Sequence, residues 1–572
     1  MKAQLNYRDD KLQPLVLVFA LVTLFSGKAW CADSVSEPRL APLDRPSFLK
    51  EKDGDAFRLP PVPTAPLPSQ VEISGHVITV RKIAFRGNLS IPSTDLEDVA
   101  ASYVGRPINE ADIEELRQKL TRFYIARGYV SSGALLRNNA FIDTTLTYDI
   151  VEGKLDDIRV QGLERLQESY VIDRLNVNTA TALNIDKLRD RFTLLLGDPL
   201  FERMNARLIP GTRQGAAILD IDVVRALPYQ LNIYSNNYRP PSIGADSLGL
   251  SGWVRNLTGY GDVLEVDLQC ALQHTESQRT DLVWRMPINA HGTHVSLELY
   301  HGLSSVLEEP MRALKIESIL DTQDIGLSQI LHETLNHKLS LGLNYVARKN
   351  RSKLMDEPFS FVPGEPEGVT EAKTWRFWQE YAYRSENQVF ALRSTFSATR
   401  NNLEDISWLP PNNIIQPDHR YLFWLGQAQY AHQIASNGAQ IILRGNIQHT
   451  SDRLLALDRL SVGGVNTVRG YLENQLIRDQ GGSMSIELDY PIYQGSATGL
   501  SASLIPFYDF GKGWNKNEPA DRLRSFGLAT RVRWQGFKLD FAVAKRLEDT
   551  NTLYTGTLQD KGIHLQLGYN FF

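Results

Sequence analysis

The chain has 572 residues, 42% of them hydrophobic, a formal net charge of −5 and 2 cysteines. That length exceeds one ordinary domain and implies roughly two to four. The charge balance leaves no basic footprint for nucleic acid, and the mature chain has no run of about 20 apolar residues to build a helical membrane protein.

The N-terminus carries Lys2, Arg8 and Lys11, then the short apolar run Leu15 to Phe25, then Ala29-Trp30-Cys31-Ala32. This order predicts a secretory signal peptide over residues 1–32; a membrane anchor is the alternative. Bulky Trp30 argues against a lipid anchor on Cys31. With Cys31 at the cleavage boundary, Cys270 stands alone, so an exported chain lacks a disulfide framework and must rely on a large core or a closed sheet. Residues 33–76 hold Pro38, Pro42, Pro46, Pro60, Pro61, Pro63, Pro66 and Pro68 and predict an extended periplasmic linker. Phe48 to Lys52 is its one short helical candidate.

Residues 77–153 form a compact unit in the pattern. The strand Val80 to Phe85 closes on Gly87-Asn88, and Thr94-x-x-Glu97 predicts a capping box opening a helix through Leu96, Val99, Ala100 and Tyr103. Asn109 predicts the cap of a second helix, with Ile113, Leu116, Leu120, Phe123 and Tyr124 on one face and Gly128 ending it. Two strands follow, giving the order β-α-α-β-β. Residues 154–226 restart the pattern: Ile83-Ala-Phe-Arg-Gly87 is echoed by Ile158-Arg-Val-Gln-Gly162, with helical segments near Glu168 to Leu175 and Ile185 to Leu196 and a final strand Ala217 to Val224. Two unrelated α+β domains are the alternative to a duplication. Ile113, Leu116, Phe123 and Tyr124 fit a core stripe or the lining of a peptide groove beside a free strand edge.

From residue 227 the helical signal gives way to period-2 alternation, as in Leu264-Val266-Leu268-Cys270-Leu272, Leu339-Leu341-Leu343-Tyr345 and Phe537-Leu539-Phe541-Val543. A soluble sandwich would show the same alternation. The export signal, the length and the aromatic residues at strand ends favour a closed transmembrane barrel, since a sheet in lipid must satisfy every backbone group. Residues 227–572 suffice for about 16 strands. Lys349 to Thr374, with Pro358, Pro363, Gly364, Pro366 and Gly368, predicts a long loop. The last strand places Ile563, Leu565, Leu567, Tyr569 and Phe571 on one face and ends on Phe572.

No catalytic constellation emerges, and no metal or cofactor is expected. His332-Glu-Thr-Leu-Asn336 lacks the second histidine of a zincin motif, His337 being one residue late, and the segment does not read as a helix. His291 and His294 read as turn or rim residues. The informative groups are Arg469, in Val468-Arg-Gly-Tyr471, and Asp509, in Phe507-Tyr-Asp-Phe-Gly511. Opposite charges inside a barrel need a partner or water, and an arginine fork matches a carboxylate. Ordinary lumen charges facing water are the alternative.

These two motifs resemble those of the two-partner secretion transporters, the TpsB family, and the duplicated β-α-α-β-β units resemble tandem POTRA domains. The phrase Val151 to Gly162 is similar to the POTRA junction of that family, and Tyr569, Phe571 and Phe572 resemble the C-terminal recognition signal of outer-membrane barrels. The resemblance implies α+β periplasmic domains (POTRA 1 at 77–153, POTRA 2 at 154–226) followed by an all-β barrel at 227–572, with an in-folding loop near 460–482. It implies that Val468, Arg469, Gly470 and Tyr471 form the tip of that loop. Phe507, Asp509 and Gly511 would lie on the inner wall, with Asp509 pairing with Arg469 in a gating or positioning role. It further implies transport, without nucleotide hydrolysis, of an unfolded exoprotein bearing an N-terminal secretion domain, of the adhesin, haemolysin or contact-dependent toxin class. The remaining implied partners are outer-membrane lipid and, during biogenesis, the barrel-assembly machinery. A plug helix preceding the linker is a family feature that this chain can supply only at Phe48 to Lys52. A barrel-assembly insertase of the same superfamily and a general porin are the rival readings.

Overall fold

The computed structural model describes residues 77–571 apart from 137–139, 214, 273–276, 310, 407–415, 496–497 and 551–554. The expected signal peptide, the proline-rich linker, Phe48 to Lys52 and terminal Phe572 lie outside the described residues. The described chain divides into an N-terminal unit ending at Ala226 and a second unit from Leu227 onward.

After a two-residue strand, Ile78–Thr79, paired with Pro107–Ile108, the N-terminal unit contains β1 (Lys82–Arg86), α1 (Ser93–Ala100), α2 (Glu110–Ala126), β2 (Gly133–Leu135) and β3 (Thr145–Val151). β3 is central, pairing in parallel with β1 and antiparallel with β2. Its alternation puts Leu146, Tyr148 and Ile150 into one core with Leu96, Leu116, Leu120 and Tyr124 from the helices. α2 begins as its sequence predicts: Asn109 accepts from Asp112 N–H, and the Asp112 carboxylate accepts from Asn109 N–H, each at 2.9 Å. α1 does not. Pro92 is its N-cap, with no side-chain cap bond, and Ser93 is already helical. Thr94 therefore sits inside the first turn, where its hydroxyl cannot reach the orphan amides, and the expected Thr94/Glu97 box does not form.

The order then repeats as β4 (Lys154–Gln161), α3 (Glu168–Leu175), α4 (Ile185–Leu196), β5 (Phe201–Pro210) and β6 (Ala216–Arg225). β6 again lies between a parallel and an antiparallel neighbour. Equivalent residues take equivalent places: Ile83 registers with Leu146, and Ile158 with Leu219. Asn184 caps α4 by accepting from Asp186 and Lys187 N–H. Val171, Leu188, Phe192, Leu219 and Ile221 fill the second core.

The second unit is a closed antiparallel barrel of 16 strands. Its first eleven strands are β7 (Tyr229–Asn236), β8 (Ser247–Arg255), β9 (Val263–Ala271), β10 (Gln278–Pro287), β11 (Thr293–Ser305), β12 (Glu317–Glu333), β13 (His337–Leu354), β14 (Val369–Arg384), β15 (Gln388–Asn401), β16 (Arg420–Gln433) and β17 (Gln440–Thr450). A loop carrying the small hairpin β18 (Leu460–Val462) and β19 (Leu476–Arg478) intervenes. The barrel resumes with β20 (Gln480–Gly495), β21 (Leu500–Trp514), β22 (Asp521–Trp534), β23 (Phe537–Arg546) and β24 (Ile563–Asn570), and closes between β24 and β7. Closure removes every sheet edge, as lipid requires.

Lys349 to Thr374 is not one long loop. β13 continues to Leu354 and β14 starts at Val369, paired from Arg351↔Val369 onward, so the Pro/Gly signals belong to the shorter connection between them. His332 and Glu333 end β12 and the next residues form a turn, which rules out the helix a zincin site needs. The connections at one end are tight turns, and those at the other are longer; the latter is the extracellular end of such barrels. Near the tight-turn end, Phe537, Tyr569 and Phe571 cluster with ring centroids 4.6 and 5.0 Å apart, part of an outward aromatic girdle.

Candidate functional site

The loop between β17 and β20 turns into the barrel. Val462, Val468, Tyr471 and Leu523 bury one another in a small apolar cluster at its tip. On β21, Ile505, Phe507 and Asp509 are buried while Pro506, Tyr508 and Lys512 are exposed, so the period-2 pattern aims Phe507, Asp509 and Gly511 into the lumen.

Arg469 meets Asp509 there through a bidentate fork, Nε to Oδ2 at 2.8 Å and Nη2 to Oδ1 at 2.7 Å, while the Arg469 main-chain N–H donates to Oδ2 at 3.0 Å. Nη1 lies 2.7 Å from Glu487 Oε1, and Nη2 donates to the Ser485 hydroxyl at 2.9 Å. Ser485 in turn donates to Asp509 Oδ1 at 2.7 Å. Glu487 also accepts a fork from Arg444. The guanidinium carbon lies over the Phe507 ring, 3.5 Å from its centroid. Arg469 is 7% exposed and Asp509 0%, so these charges meet in low dielectric, where hydrogen-bonded neutralisation decides whether burial is tolerable.

Both motif glycines have a steric reason. Gly470 has φ +91, and a Cβ there would stand 2.8 Å from that of Ala544; a Cβ on Gly511 would stand 2.3 Å from Val462 Cγ1 and 2.8 Å from Val468 Cγ2. The loop tip can press on the wall only because neither side chain exists. Gly470 N–H donates to His564 Nε2 at 3.0 Å, which places the proton of that neutral ring on Nδ1, and Arg546 Nε donates to Gly470 O. The Tyr471 hydroxyl lies 2.9 and 3.0 Å from the carbonyl oxygens of Arg524 and Glu548.

A second anchor holds the base of the loop against other strands of the wall. Asp458 accepts from Arg348 Nη2 at 2.7 Å and from the Tyr421 hydroxyl, with both charged side chains almost wholly buried. Gln448 Nε2 donates to the carbonyl oxygens of Asp458 and Asp479, and the Asp479 carboxylate accepts from Leu454 N–H and Arg459 Nε. Sequence reasoning missed Ser485, Glu487, His564, Arg348 and Asp458. Glu487 alone carried a usable signal, as one of two acids (with Asp489) on the polar face of the alternating strand Ile486-Leu488-Tyr490. A polar lumen cavity of about 640 Å3 lies beside the loop, lined among others by Arg279, Asp281, Asp324, Arg376, Arg393 and Glu473.

Of the other predicted residues, Tyr569 and Phe571 face outward near the closing seam, where Phe571 N–H continues the pairing by donating to Leu231 O at 3.0 Å. Ile113, Leu116 and Tyr124 are core residues; Phe123 is half-buried under the Arg127 guanidinium.

Tandem β-α-α-β-β units, a closed barrel and a loop latched inside its lumen define an outer-membrane transporter of the POTRA–barrel class. The chain belongs to the ShlB/FhaC/HecB family of haemolysin secretion/activation proteins, which it matches over residues 215–534. Residues 78–153 match the ShlB-type POTRA domain. Like other members, it is an outer-membrane two-partner secretion transporter. It is 22% identical over 486 residues to the heme/hemopexin transporter protein HuxB of Haemophilus influenzae strain 86-028NP, covering 82% of this chain and 84% of that one. It is 23% identical over 568 residues to the hemolysin transporter protein HpmB of Proteus mirabilis, covering 93% and 94%. Among solved structures it resembles CdiB from Escherichia coli, with a TM-score of 0.65 and 19% identity over 90% of this chain and 94% of that one.

Proposed function

We propose that Arg469 and Asp509 form the latch that holds the in-folded loop at rest, and that the loop withdraws or shifts to open the conduit. Val468, Gly470 and Tyr471 shape the tip; Phe507 and Gly511 shape the wall that receives it. The observation that carries this reading is the buried bidentate pair between a loop and the lumen wall, since such a pair favours one docked geometry and resists partial solvation.

The cargo in this reading is an unfolded exoprotein with an N-terminal secretion domain, taken up in the periplasm by the POTRA domains and passed outward. The cargo proposed is of the adhesin, haemolysin or contact-dependent toxin class, and the name of one relative, a hemolysin transporter, supports the haemolysin member of that range. Export uses no nucleotide hydrolysis and no enzymatic chemistry of the chain's own. The proposed domain limits are 1–32 for the signal peptide, 33–76 for the linker, 77–153 and 154–226 for the two POTRA domains, and 227–572 for the barrel. Tyr569, Phe571 and Phe572 serve as the barrel-assembly signal.

The test is secretion of the exoprotein encoded beside this gene, with Arg469→Ala, Asp509→Ala and the double variant, alongside channel conductance in planar bilayers. Altered secretion with altered conductance supports the latch. Unchanged secretion and conductance in all three variants, at normal barrel levels, eliminates it.

A further inference from the structure

The outer wall of the barrel carries a row of three neighbouring cations. Lys373 on β14 stands directly opposite Arg400 on β15, which stands directly opposite Arg420 on β16. All three are exposed, while their strand neighbours Ala372, Thr374, Thr399 and Tyr421 are buried, so the three point away from the lumen. Among the described residues none of the three forms an ion pair. The contrast with the adjoining strands is sharp: Lys349 pairs with Glu371 at 2.6 Å and Arg351 with Asp321.

Like charges directly opposite in adjacent strands, with Cβ atoms about 5 Å apart, destabilise a sheet. Three in a row favour an anion at the surface they share. Two carboxylates border the row: Glu371, two residues from Lys373 on β14, is paired with Lys349, and Asp452, which lines the same groove, is engaged by Leu422 N–H and the Ser451 hydroxyl.

The next outward row toward the membrane centre is Tyr345, Trp375, Ala398 and Leu422, again directly opposite one another. Trp375 and Leu422 are 54% and 55% exposed, and the Tyr345 and Trp375 rings pack 5.0 Å apart. Small Ala398 leaves a hollow between the large side chains. The two rows together line one groove of about 620 Å3. Two residues along a strand separate the rows, about 7 Å, and the cationic row lies toward the long-loop, extracellular end.

We propose that this groove binds a phosphorylated, acylated glycolipid of the outer leaflet, of lipid A chemistry. Its phosphates would lie on Lys373, Arg400 and Arg420 and an acyl chain would lie between Trp375 and Leu422. Arginine forks match phosphate oxygens, the apolar row supplies the acyl contact, and a wall facing the bilayer is open to lipid before any soluble anion.

The test uses the full chain purified in neutral detergent and exchanged into nanodiscs, with retained lipid quantified by native mass spectrometry. Diphosphoryl lipid A is expected to be retained and its dephosphorylated form lost. The triple variant Lys373→Gln/Arg400→Gln/Arg420→Gln should weaken retention about tenfold or more, and Lys349→Gln should not. In lipid-free detergent the same triple variant should melt no lower than the parent, because it removes repulsion; a merely structural role would lower it. Ala398→Trp, which fills the hollow and keeps every charge, should also reduce retention and serves if the triple variant fails to fold. Equal retention by the folded triple variant, or by Ala398→Trp where the triple variant cannot fold, overturns the proposal. Displacement of the lipid by millimolar inorganic phosphate overturns it too, by showing a phosphate site in place of a lipid one.

Discussion

Arg469→Ala is the most informative perturbation of the latch, and its cost follows from what it leaves behind. Asp509, fully buried, would keep only the Ser485 hydroxyl and the residue 469 main-chain N–H as donors. Glu487 would keep Arg444. Breaking a buried pair costs about 3–5 kcal/mol, and the donors that remain put the expected value near the low end, about 3 kcal/mol. Loss of the stacked guanidinium over Phe507 adds about 1 kcal/mol. Asp509→Asn is milder, because Arg469 retains Glu487 and an amide oxygen still accepts; about 1–2 kcal/mol is expected. The double variant should cost less than Arg469→Ala alone, because it also removes the stranded carboxylate, giving a coupling of at least about 1–2 kcal/mol. The assay is thiol labelling at Thr467→Cys, a position 8% exposed at the loop tip, in a Cys270→Ser background. At 1.4 kcal/mol per decade, Arg469→Ala should speed labelling by roughly two to three decades and Asp509→Asn by about one. Equal acceleration by both, or strict additivity in the double variant, would refute the reasoning that the pair acts as a unit with Glu487 as reserve partner.

Asp458→Leu alone should loosen the base of the loop by about 3–5 kcal/mol, because it strands buried Arg348, whereas Arg348→Met with Asp458→Leu should be near neutral; limited trypsin cleavage at Arg453 and Arg459 reads both. The buried Tyr148 hydroxyl, which donates to Ile113 O at 2.8 Å, is held above the ordinary phenol range chiefly by burial. Below pH about 10 the folded and unfolded states are both protonated there and the group has no pH effect; above it the unfolded chain loses a proton that the fold retains, so stability falls as pH rises. Circular dichroism at 222 nm should show alkaline loss of the helices, and Tyr148→Phe should make that loss less steep; an unchanged slope would sink the assignment.

Much of this architecture was legible because its determinants are local. Asn109 and Asp112 sit three apart and cap α2 wherever that helix goes, and Ile83/Ile158 mark a repeat that the two sheets reproduce. Period-2 alternation announces half-buried strands whatever they pair with. The misreadings have equally local causes. Pro92 fixes an extended entry that sequence spacing cannot distinguish from a Thr94 cap. The Pro/Gly signals between β13 and β14 mark a turn but not how far the strands run on either side of it. Arg469 and Asp509 stood out through motif context. The Asp458–Arg348 anchor did not, because its partners are 110 residues apart and nothing in either neighbourhood encodes the other. Ser485 and Glu487 join the latch through register alone, a property of the closed sheet.

The barrel closes where Asn236 meets Gln566, residues 330 apart in sequence. Bringing such distant segments together carries a chain-entropy penalty that no local contact offsets. The inserted loop touches both sides of that seam: Gly470 bonds His564 on the final strand, and Glu473 N–H reaches Gln559, whose amide donates to the carbonyl oxygens of Asn237 and Arg239 just beyond the first. By reciprocity, whatever the docked loop contributes to holding the seam, the seam contributes to holding the loop. The segment that lies inside the barrel is thus also a clasp for the cylinder around it, and on the proposed gating role any withdrawal of the loop would draw on the same contacts that hold the seam.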